Sequence, residues 1–200
     1  MKILFWNIRG IANKSSMETL FSFYKQILPD VICLAEPMLV PNKIPLSLLR
    51  SMNMKLLCFN SKDGCSKIWI LCSTSNQDPK VFSNSDQEIT LDFGSSQNFY
   101  RISFIYASVN MGTRRKLWQR LHNLCPPTTP WLLLGDFNAI LGSHERVGGK
   151  PPNATSCSDF SMMIDNCNLE EIPTKGSPFT WARLSSRGYM ECRLDRALCN

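Results

Sequence analysis

The sequence contains, at residues 131–138, the stretch Trp131-Leu132-Leu133-Leu134-Gly135-Asp136-Phe137-Asn138. Its apolar half has the length and composition of a buried strand, and Gly135 then leads into a carboxylate and an amide. A carboxylate is rarely buried unless it is paired, hydrogen-bonded or bound to a metal. Asp136 and Asn138, at the end of a core strand, are therefore candidate functional residues.

Oxygen-bearing side chains also end or interrupt three other apolar segments: Asn7 after residues 2–6, Glu36 after Val31–Ala35, and Asp195 within Arg193-Leu194-Asp195-Arg196. Several such strand ends together indicate one oxygen-rich site. Carboxylate and amide oxygens suit Mg²⁺ or Mn²⁺ better than zinc, which prefers cysteine and histidine. The alternative is that each of these residues only forms a turn or caps a helix.

The pattern of apolar residues predicts an α/β fold with alternating strands and helices. Strands are expected at residues 2–6, 31–35, 54–59, 67–72, 88–93, 100–109, 131–135, 179–181 and 190–197. Three amphipathic helices are expected at 15–28, 113–124 and 160–167, with Ser15 and Thr113 as the N-terminal caps of the first two. Because no repeat or interdomain linker interrupts the pattern, we expect a single domain over residues 1–200.

The composition, 44% hydrophobic and 19% charged, is that of a chain that folds. No apolar run approaches the ~18–20 residues that span a bilayer, and the N-terminus does not resemble a signal peptide. We therefore expect an intracellular protein of the nucleus or cytoplasm that is neither secreted nor membrane-bound. The net charge of +6 favours an anionic partner such as nucleic acid, although a merely soluble basic domain would also fit.

Several function classes lack their motifs in this sequence. There is no G-x-S-x-G elbow, P-loop or G-x-G-x-x-G, and the nine cysteines include no C-x-x-C pair. Most cysteines are therefore expected to be small buried residues. The two histidines are His122, expected on a helix surface, and His144, in the loop after Asn138. A surface position is also favoured for His144, with a role as proton donor as the alternative.

Six motifs, read in order, resemble the endonuclease/exonuclease/phosphatase superfamily: Trp6-Asn7-Ile8-Arg9-Gly10, Leu34-Ala35-Glu36-Pro37, Ile105-Tyr106-Ala107, Leu134-Gly135-Asp136-Phe137-Asn138, Phe179-Thr180-Trp181 and Arg193-Leu194-Asp195-Arg196-Ala197. With Gly148-Gly149-Lys150-Pro151 added, the set is similar to the endonuclease domain of plant LINE-type retrotransposon polyproteins. The resemblance covers nearly all of the chain. It implies a four-layered α/β sandwich, in which two mixed sheets pack face to face with helices outside.

The resemblance also implies a metal site and a partner. Glu36 would be the main ligand of Mg²⁺ or Mn²⁺, with Asn7 beside it. DNA would be the partner, and we expect Arg9, Arg114 and Arg115 to contact it. For Arg114 and Arg115 a solvated helix face is the favoured alternative.

By the same resemblance, four residues have roles in phosphodiester hydrolysis. Tyr106 would support the scissile phosphate, and Asp136 would activate the attacking water. Asn138 would hold either Asp136 or the phosphate. Asp195 matches the family carboxylate that orients a catalytic histidine.

The family's last catalytic element is a Ser-Asp-His on one further strand, and the present sequence stops at Asn200. We therefore expect a domain without its last strand and hydrolysis that is weak or lost, since a positioned acid or base contributes ~10²–10⁴-fold in rate. The favoured hypothesis is a Mg²⁺-dependent DNA endonuclease domain of a retroelement. The alternatives are a non-catalytic retroelement remnant and, less favoured, a phosphatase of the same superfamily that acts on a phosphoinositide or nucleotide.

Overall fold

The fold is taken from a computed structural model, which describes residues 1–60, 66–95, 98–185 and 188–200. It is a mixed α/β fold with two mixed sheets flanked by helices, which confirms the predicted fold class. The chain divides into two compact units, Met1–Phe99 and Tyr100–Asn200. That residues 1–200 form a single domain stays a prediction. Within the described residues, no helix is both long enough and apolar enough to cross a membrane.

The first unit alternates strands and helices before it ends in a hairpin. Its elements are β1 (Ile3–Asn7), α1 (Lys14–Ile27), β2 (Val31–Ala35), α2 (Leu46–Ser51), β3 (Met54–Phe59), β4 (Ile68–Ser73), β5 (Lys80–Asn84) and β6 (Glu88–Phe93). Four strands form a sheet in the order β1-β2-β4-β3, in which only the β1–β2 pair is parallel. Leu20 of α1 and Leu49 of α2 pack with Leu34 and Trp69 of this sheet to form the core of the unit.

The second unit contains a sheet in the order β10-β13-β8-β7 and a small sheet in the order β11-β12-β9. Its elements are β7 (Tyr100–Tyr106), α3 (Met111–Leu124), β8 (Trp131–Asp136), β9 (Arg146–Val147), α4 (Ala154–Asn166), β10 (Glu170–Glu171), β11 (Trp181–Ser185), β12 (Gly188–Cys192) and β13 (Asp195–Cys199). The β7–β8 pair is parallel, and the other pairs are antiparallel. Trp118 and Phe160, from the two helices, pack with Phe137 in its core.

An asparagine side chain caps each of the three long helices, which corrects the predicted caps. Asn13, Asn110 and Asn153 precede α1, α3 and α4, and each accepts a backbone N–H of the first turn at 3.0 Å. Ser15 and Thr113, predicted as caps, instead donate their backbone N–H groups to Asn13 and Asn110. Asparagine, serine and threonine are all good caps, so the sequence pattern alone did not identify which residue starts the helix.

The end of the chain forms two strands where one was predicted over residues 190–197. β12 ends at Cys192 and β13 begins at Asp195, because the intervening amides bond outside any sheet. The Thr180 hydroxyl oxygen accepts the N–H groups of Leu194 and Asp195 at 3.0 Å each. The chain thereby passes from the small sheet to the larger one.

Other differences from the predicted elements have similarly local causes. The strand predicted at 179–181 begins at Trp181 and continues to Ser185. β5 was not predicted, because four of its five residues are exposed and it shows no apolar alternation towards a core. The two-residue strands β9 and β10 and the short helix α2 are below the length that periodicity detects.

Gly135, in the Gly-Asp-Phe-Asn motif, allows β8 to approach β7 closely. Its φ is +144°, a value that L-residues rarely adopt. A Cβ atom at this position would lie 2.0 Å from the carbonyl oxygen of Ile105, its register partner on β7. The glycine is therefore required by backbone packing at the end of both strands.

Replacing Gly135 with alanine is expected to lower the free energy of unfolding by about 3 kcal/mol, because the methyl group must push two backbones apart. Gly176→Ala is the matched control, since Gly176 also has a positive φ but no atom within 4 Å of its Cβ position. The control is expected to lose about 1 kcal/mol from backbone strain alone. Urea unfolding of both variants measures the difference, and equal losses would contradict the packing argument.

Replacing Thr180 with valine is expected to lower the free energy of unfolding by about 1 kcal/mol, because two backbone donors lose their shared acceptor at a solvent-accessible turn. Thr180→Ser keeps the hydroxyl and is expected to stay within about 0.5 kcal/mol of the wild type. Urea unfolding of the two variants measures both changes in the free energy of unfolding. If Thr180→Val and Thr180→Ser lowered the free energy of unfolding equally, the loss would be due to packing and not to the two hydrogen bonds.

Candidate functional site

Asn7 and Glu36 meet at one end of the first unit's sheet. Asn7 is the last residue of β1, and its register partner on the parallel strand β2 is Ala35, the residue before Glu36. Parallel strands end at the same edge of a sheet, so the two side chains are neighbours. The Asn7 amide nitrogen Nδ2 donates to Glu36 Oε1 at 2.9 Å. The structure therefore brings together the two residues that the sequence predicts as metal ligands.

The Asn7 amide oxygen is the feature that fits a cation. Among the described residues, Asn7 Oδ1 is one of three buried side-chain nitrogen or oxygen atoms without a hydrogen-bond partner. Such an oxygen carries a desolvation cost that a bound cation would remove. Because Nδ2 donates to Glu36, the orientation of the amide is fixed, and the residue that carries Oδ1 lies next to a carboxylate. An amide oxygen and a carboxylate are hard ligands of the kind that Mg²⁺ and Mn²⁺ prefer.

Carboxylate clustering alone does not identify this pair. The described parts of the chain contain no group of three or more histidine, cysteine, aspartate or glutamate side chains placed to hold a metal. The fit at Asn7 and Glu36 therefore depends on one carboxylate and one amide.

Glu36 has a strained backbone, which its neighbours hold in place. Its φ is +51°, in the left-handed region that non-glycine residues rarely occupy. Its N–H donates to the Lys67 carbonyl, and its own carbonyl accepts the Gly10 N–H, both at 2.9 Å. Such strain costs about 1–3 kcal/mol, and it is concentrated at functional sites. The backbone around Glu36 is thus organised to present this side chain at the strand end.

Tyr106, Asp136 and Asp195 lie side by side on three strands of the second unit. Asp136 ends β8, and its register partners are Tyr106 on β7 and Asp195 on β13. Register partners share a face of the sheet, so the three side chains occupy neighbouring positions on one face. Asp136 is buried, whereas Tyr106 and Asp195 are half-buried. The structure therefore brings together these three predicted catalytic residues.

Asn138 bonds to Asp136 through its backbone and to the end of β7 through its side chain. Its N–H donates to Asp136 Oδ1 at 2.8 Å, and its Nδ2 donates to the carbonyl of Ala107, just after β7, at 2.8 Å. Its φ of +46° places it, like Glu36, in the left-handed region. The Asn138 N–H thus orients one oxygen of the Asp136 carboxylate. The role that the resemblance implies for Asn138 stays a prediction.

The predicted DNA-contacting arginines have different environments. Arg9 is exposed. Arg114 is buried, and it donates to the carbonyls of Ser108 and Val109 and to the Ser156 hydroxyl, which is the environment of a structural residue. Arg115 is paired with Asp159 at 2.7 Å. Contact with DNA stays a prediction for all three arginines.

The histidines lie at the surface, and the cysteines of the described residues are buried or partly buried. His122 and His144 are both exposed, and His144 Nε2 lies 3.9 Å from Glu145 Oε1. The eight cysteines in the described residues are free thiols, all of them buried or partly buried; Cys65 lies outside those residues. Burial raises the pKa of the Cys33 thiol well above its ordinary value, so this thiol is unreactive.

Two buried residues of the second unit were missed as functional candidates. Glu145, in the loop after Asn138, forms an ion pair with Arg196 on β13. Arg196 belongs to the motif Arg193-Leu194-Asp195-Arg196-Ala197, in which a role is predicted only for Asp195. A charged residue in a loop is expected to be exposed to solvent, and Glu145 and Arg196 are too far apart in the sequence for a local pattern to pair them.

Three of the solved structures to which this chain is similar are nucleases. The endonuclease domain of TRAS1, a telomere-specific non-LTR retrotransposon, is 12% identical, with a TM-score of 0.70; the match covers 100% of this chain and 84% of that one. A 3'-5' exonuclease (NExo) from Neisseria meningitidis is 16% identical, with a TM-score of 0.74 and coverages of 100% and 87%. An AP endonuclease from Archaeoglobus fulgidus is 14% identical, with a TM-score of 0.73 and coverages of 100% and 86%.

At these identities the structural likeness establishes the fold alone. A search of curated proteins finds no match. The family model for the Endonuclease/Exonuclease/phosphatase family, however, matches residues 4–200 and thus nearly the whole sequence. With the fold and that match together, the chain belongs to the Endonuclease/Exonuclease/phosphatase family.

Proposed function

We propose that this chain is a Mg²⁺- or Mn²⁺-dependent phosphodiesterase that nicks DNA, of the retroelement endonuclease type. The observation that carries the proposal is the buried, unpartnered Oδ1 of Asn7, on the amide whose Nδ2 donates to the Glu36 carboxylate. Family membership narrows the chemistry to the hydrolysis of phosphate esters. A divalent cation is the ligand that satisfies this oxygen and also serves that chemistry.

In this proposal Asn7 and Glu36 hold the cation. Family nucleases generally depend on a divalent metal. When bound, the cation stabilises the negative charge that develops on the phosphate oxygens during hydrolysis. Glu36 supplies a full negative charge, and Asn7 supplies the neutral oxygen whose desolvation is otherwise uncompensated.

Asp136 is the proposed general base. It accepts a proton from the attacking water as the water oxygen bonds to phosphorus and the bond from phosphorus to the leaving sugar oxygen breaks. The N–H bond from Asn138 orients the carboxylate for that transfer. Tyr106 and Asp195 flank Asp136 in the sheet, where we assign Tyr106 to the phosphate and Asp195 to the orientation of a proton donor.

The retroelement context is supported by the set of motifs and by the likeness of the fold to a retrotransposon endonuclease domain. The net charge of +6 suits a DNA partner, and exposed Arg9 is the best placed of the three arginines to contact it. An intracellular location follows from the same proposal.

Replacing Asn7 with leucine is expected to abolish metal binding while the protein stays folded, because the variant loses the amide oxygen but fills the same space. In the wild type, Mn²⁺ at about 100 times its dissociation constant should stabilise the fold by about 2.7 kcal/mol. Asn76→Leu is the matched control, since Asn76 donates to the carboxylate of half-buried Asp30 in the same unit. Thermal unfolding with and without Mn²⁺ measures the effect. Equal stabilisation of the two variants would contradict a metal site at Asn7.

Wild-type protein is expected to nick supercoiled plasmid with Mg²⁺ or Mn²⁺ and to stop when EDTA is added. Glu36→Gln and Asp136→Asn should each slow nicking by about 10²-fold or more, because one removes the metal ligand and the other the base. Glu18→Gln and Asp78→Asn are the matched controls, since both carboxylates form exposed ion pairs.

The same preparations should be tested on an oligonucleotide with a 3'-phosphate. Release of phosphate without nicking would favour the phosphatase alternative. A folded wild-type protein that neither nicks plasmid nor releases phosphate would contradict the proposal and support a non-catalytic remnant.

A further inference from the structure

Glu145 and Arg196 form a buried ion pair in the second unit. The side chains are 5% and 0% exposed, respectively. Arg196 donates through both terminal nitrogens, with Nη1 2.8 Å from Glu145 Oε1 and Nη2 bonded to Oε2. The Leu141 N–H also donates to Oε2, at 2.6 Å. Burial acts to raise the pKa of Glu145, but the bonds from Arg196 and Leu141 outweigh it and lower the pKa, so Glu145 stays ionised at neutral pH.

This ion pair connects the loop after Asn138 to the start of β13. Arg196 Nη1 also donates to Glu171 Oε2 at 3.0 Å, and Nη2 donates to the Arg193 carbonyl at 3.2 Å. The Arg193 N–H in turn donates to the Glu145 carbonyl at 3.0 Å. The Arg196 guanidinium lies over the Phe160 ring of α4, 5.4 Å from its centroid. The loop, two strands and a helix thus converge on one guanidinium.

The ion pair lies on the opposite face of the sheet from the candidate catalytic residues. Arg196 directly follows Asp195 in β13, and successive side chains of a strand point to opposite faces. The register partner of Arg196 is Gly135, directly before Asp136. Glu145 and Arg196 therefore act on the catalytic carboxylates only through the backbone that carries both.

Stability alone is a poor reason for this arrangement. A buried ion pair is often no more stabilising than apolar residues of similar size, because desolvating two charges is costly. Within the described residues, Arg196 Nε is one of three buried side-chain polar atoms without a partner, which adds to that cost. Unlike apolar residues, the ion pair holds its two side chains in a fixed, directional geometry.

We propose that Glu145 and Arg196 are positioning residues that fix the backbone carrying Asp136, Asn138 and Asp195. The proposal rests on the proposed function, in which these three residues take part in hydrolysis. The ion pair holds the loop that leaves Asn138 against the turn that leads into Asp195. It thereby keeps neighbouring strand ends in the register that places Asp136 beside Asp195.

The test replaces the pair with apolar residues of similar size in the double variant Glu145→Leu/Arg196→Met. The matched control, Lys55→Met/Asp78→Leu, removes a partly exposed ion pair of the first unit, to which no role in binding or catalysis is assigned. We expect the first variant to keep the wild-type melting temperature within a few degrees but to lose about 10²-fold in kcat with little change in KM. The control should keep both kinetic parameters.

Amide hydrogen exchange gives a second readout that does not depend on activity. The N–H groups of Phe137, Asn138 and Asp195 are bonded to the Leu194 carbonyl, Asp136 Oδ1 and Thr180 Oγ1, respectively. In the double variant these amides should exchange about tenfold faster, while the amides of α3 keep their protection. Should the double variant fail to fold, Arg196→Lys, which keeps the charge but not the two-pronged bond, is expected to show the same local pattern.

The outcomes separate this inference from the proposed function. Unchanged exchange at the three amides, or an unchanged kcat in a folded double variant, would overturn the positioning role. An inactive wild-type protein whose variants show the expected exchange pattern would contradict the proposed function but support the positioning of the backbone.

Discussion

The close backbone approach between Gly135 and Ile105 is the constraint on which the second unit's candidate site depends. No side chain fits between the two strands at this point, because a Cβ on Gly135 would lie 2.0 Å from the Ile105 carbonyl oxygen. The next residues on the two strands, Asp136 and Tyr106, are a register pair, and each is the last residue of its strand. Asp195 lies on the other side of Asp136, because β13 pairs with the other edge of β8.

A second physical theme is the cost of burying polar atoms. Asp136 is buried at a strand end, and the Asn138 N–H bonds one of its carboxylate oxygens. Glu145 is buried in a loop, where Arg196 and a backbone N–H satisfy it. Among the described residues, three buried side-chain polar atoms have no such partner: Asn7 Oδ1, Trp69 Nε1 and Arg196 Nε. Asn7 Oδ1 differs from the other two because it is an acceptor, which a cation can satisfy, whereas they are donors. That contrast is why a cation at Asn7 and Glu36 is a physical proposal as well as a family expectation.

The strand-end pattern predicted one oxygen-rich site, and the structure brings its members together within each unit. Asn7 meets Glu36, and Tyr106, Asp136 and Asp195 lie on adjacent strands. Parallel strands end at a common edge, which brings Asn7 to Glu36 and Tyr106 to Asp136. Asp195 instead begins a strand that pairs antiparallel with β8, opposite Asp136. The prediction that all of the strand ends form one site stays a prediction, as does each residue's role in hydrolysis.

The sequence by itself determined the family, the main strands and helices and the polar residues at their ends, because apolar periodicity and short motifs are local properties. Only the tertiary structure decided the helix caps, the break between β12 and β13, the burial of Arg114, and the partnership of Glu145 with Arg196. Each of these depends on which distant polar group lies within hydrogen-bond reach. Fifty-one positions separate Glu145 from Arg196 in the chain, and no periodicity connects them; folding alone makes them neighbours.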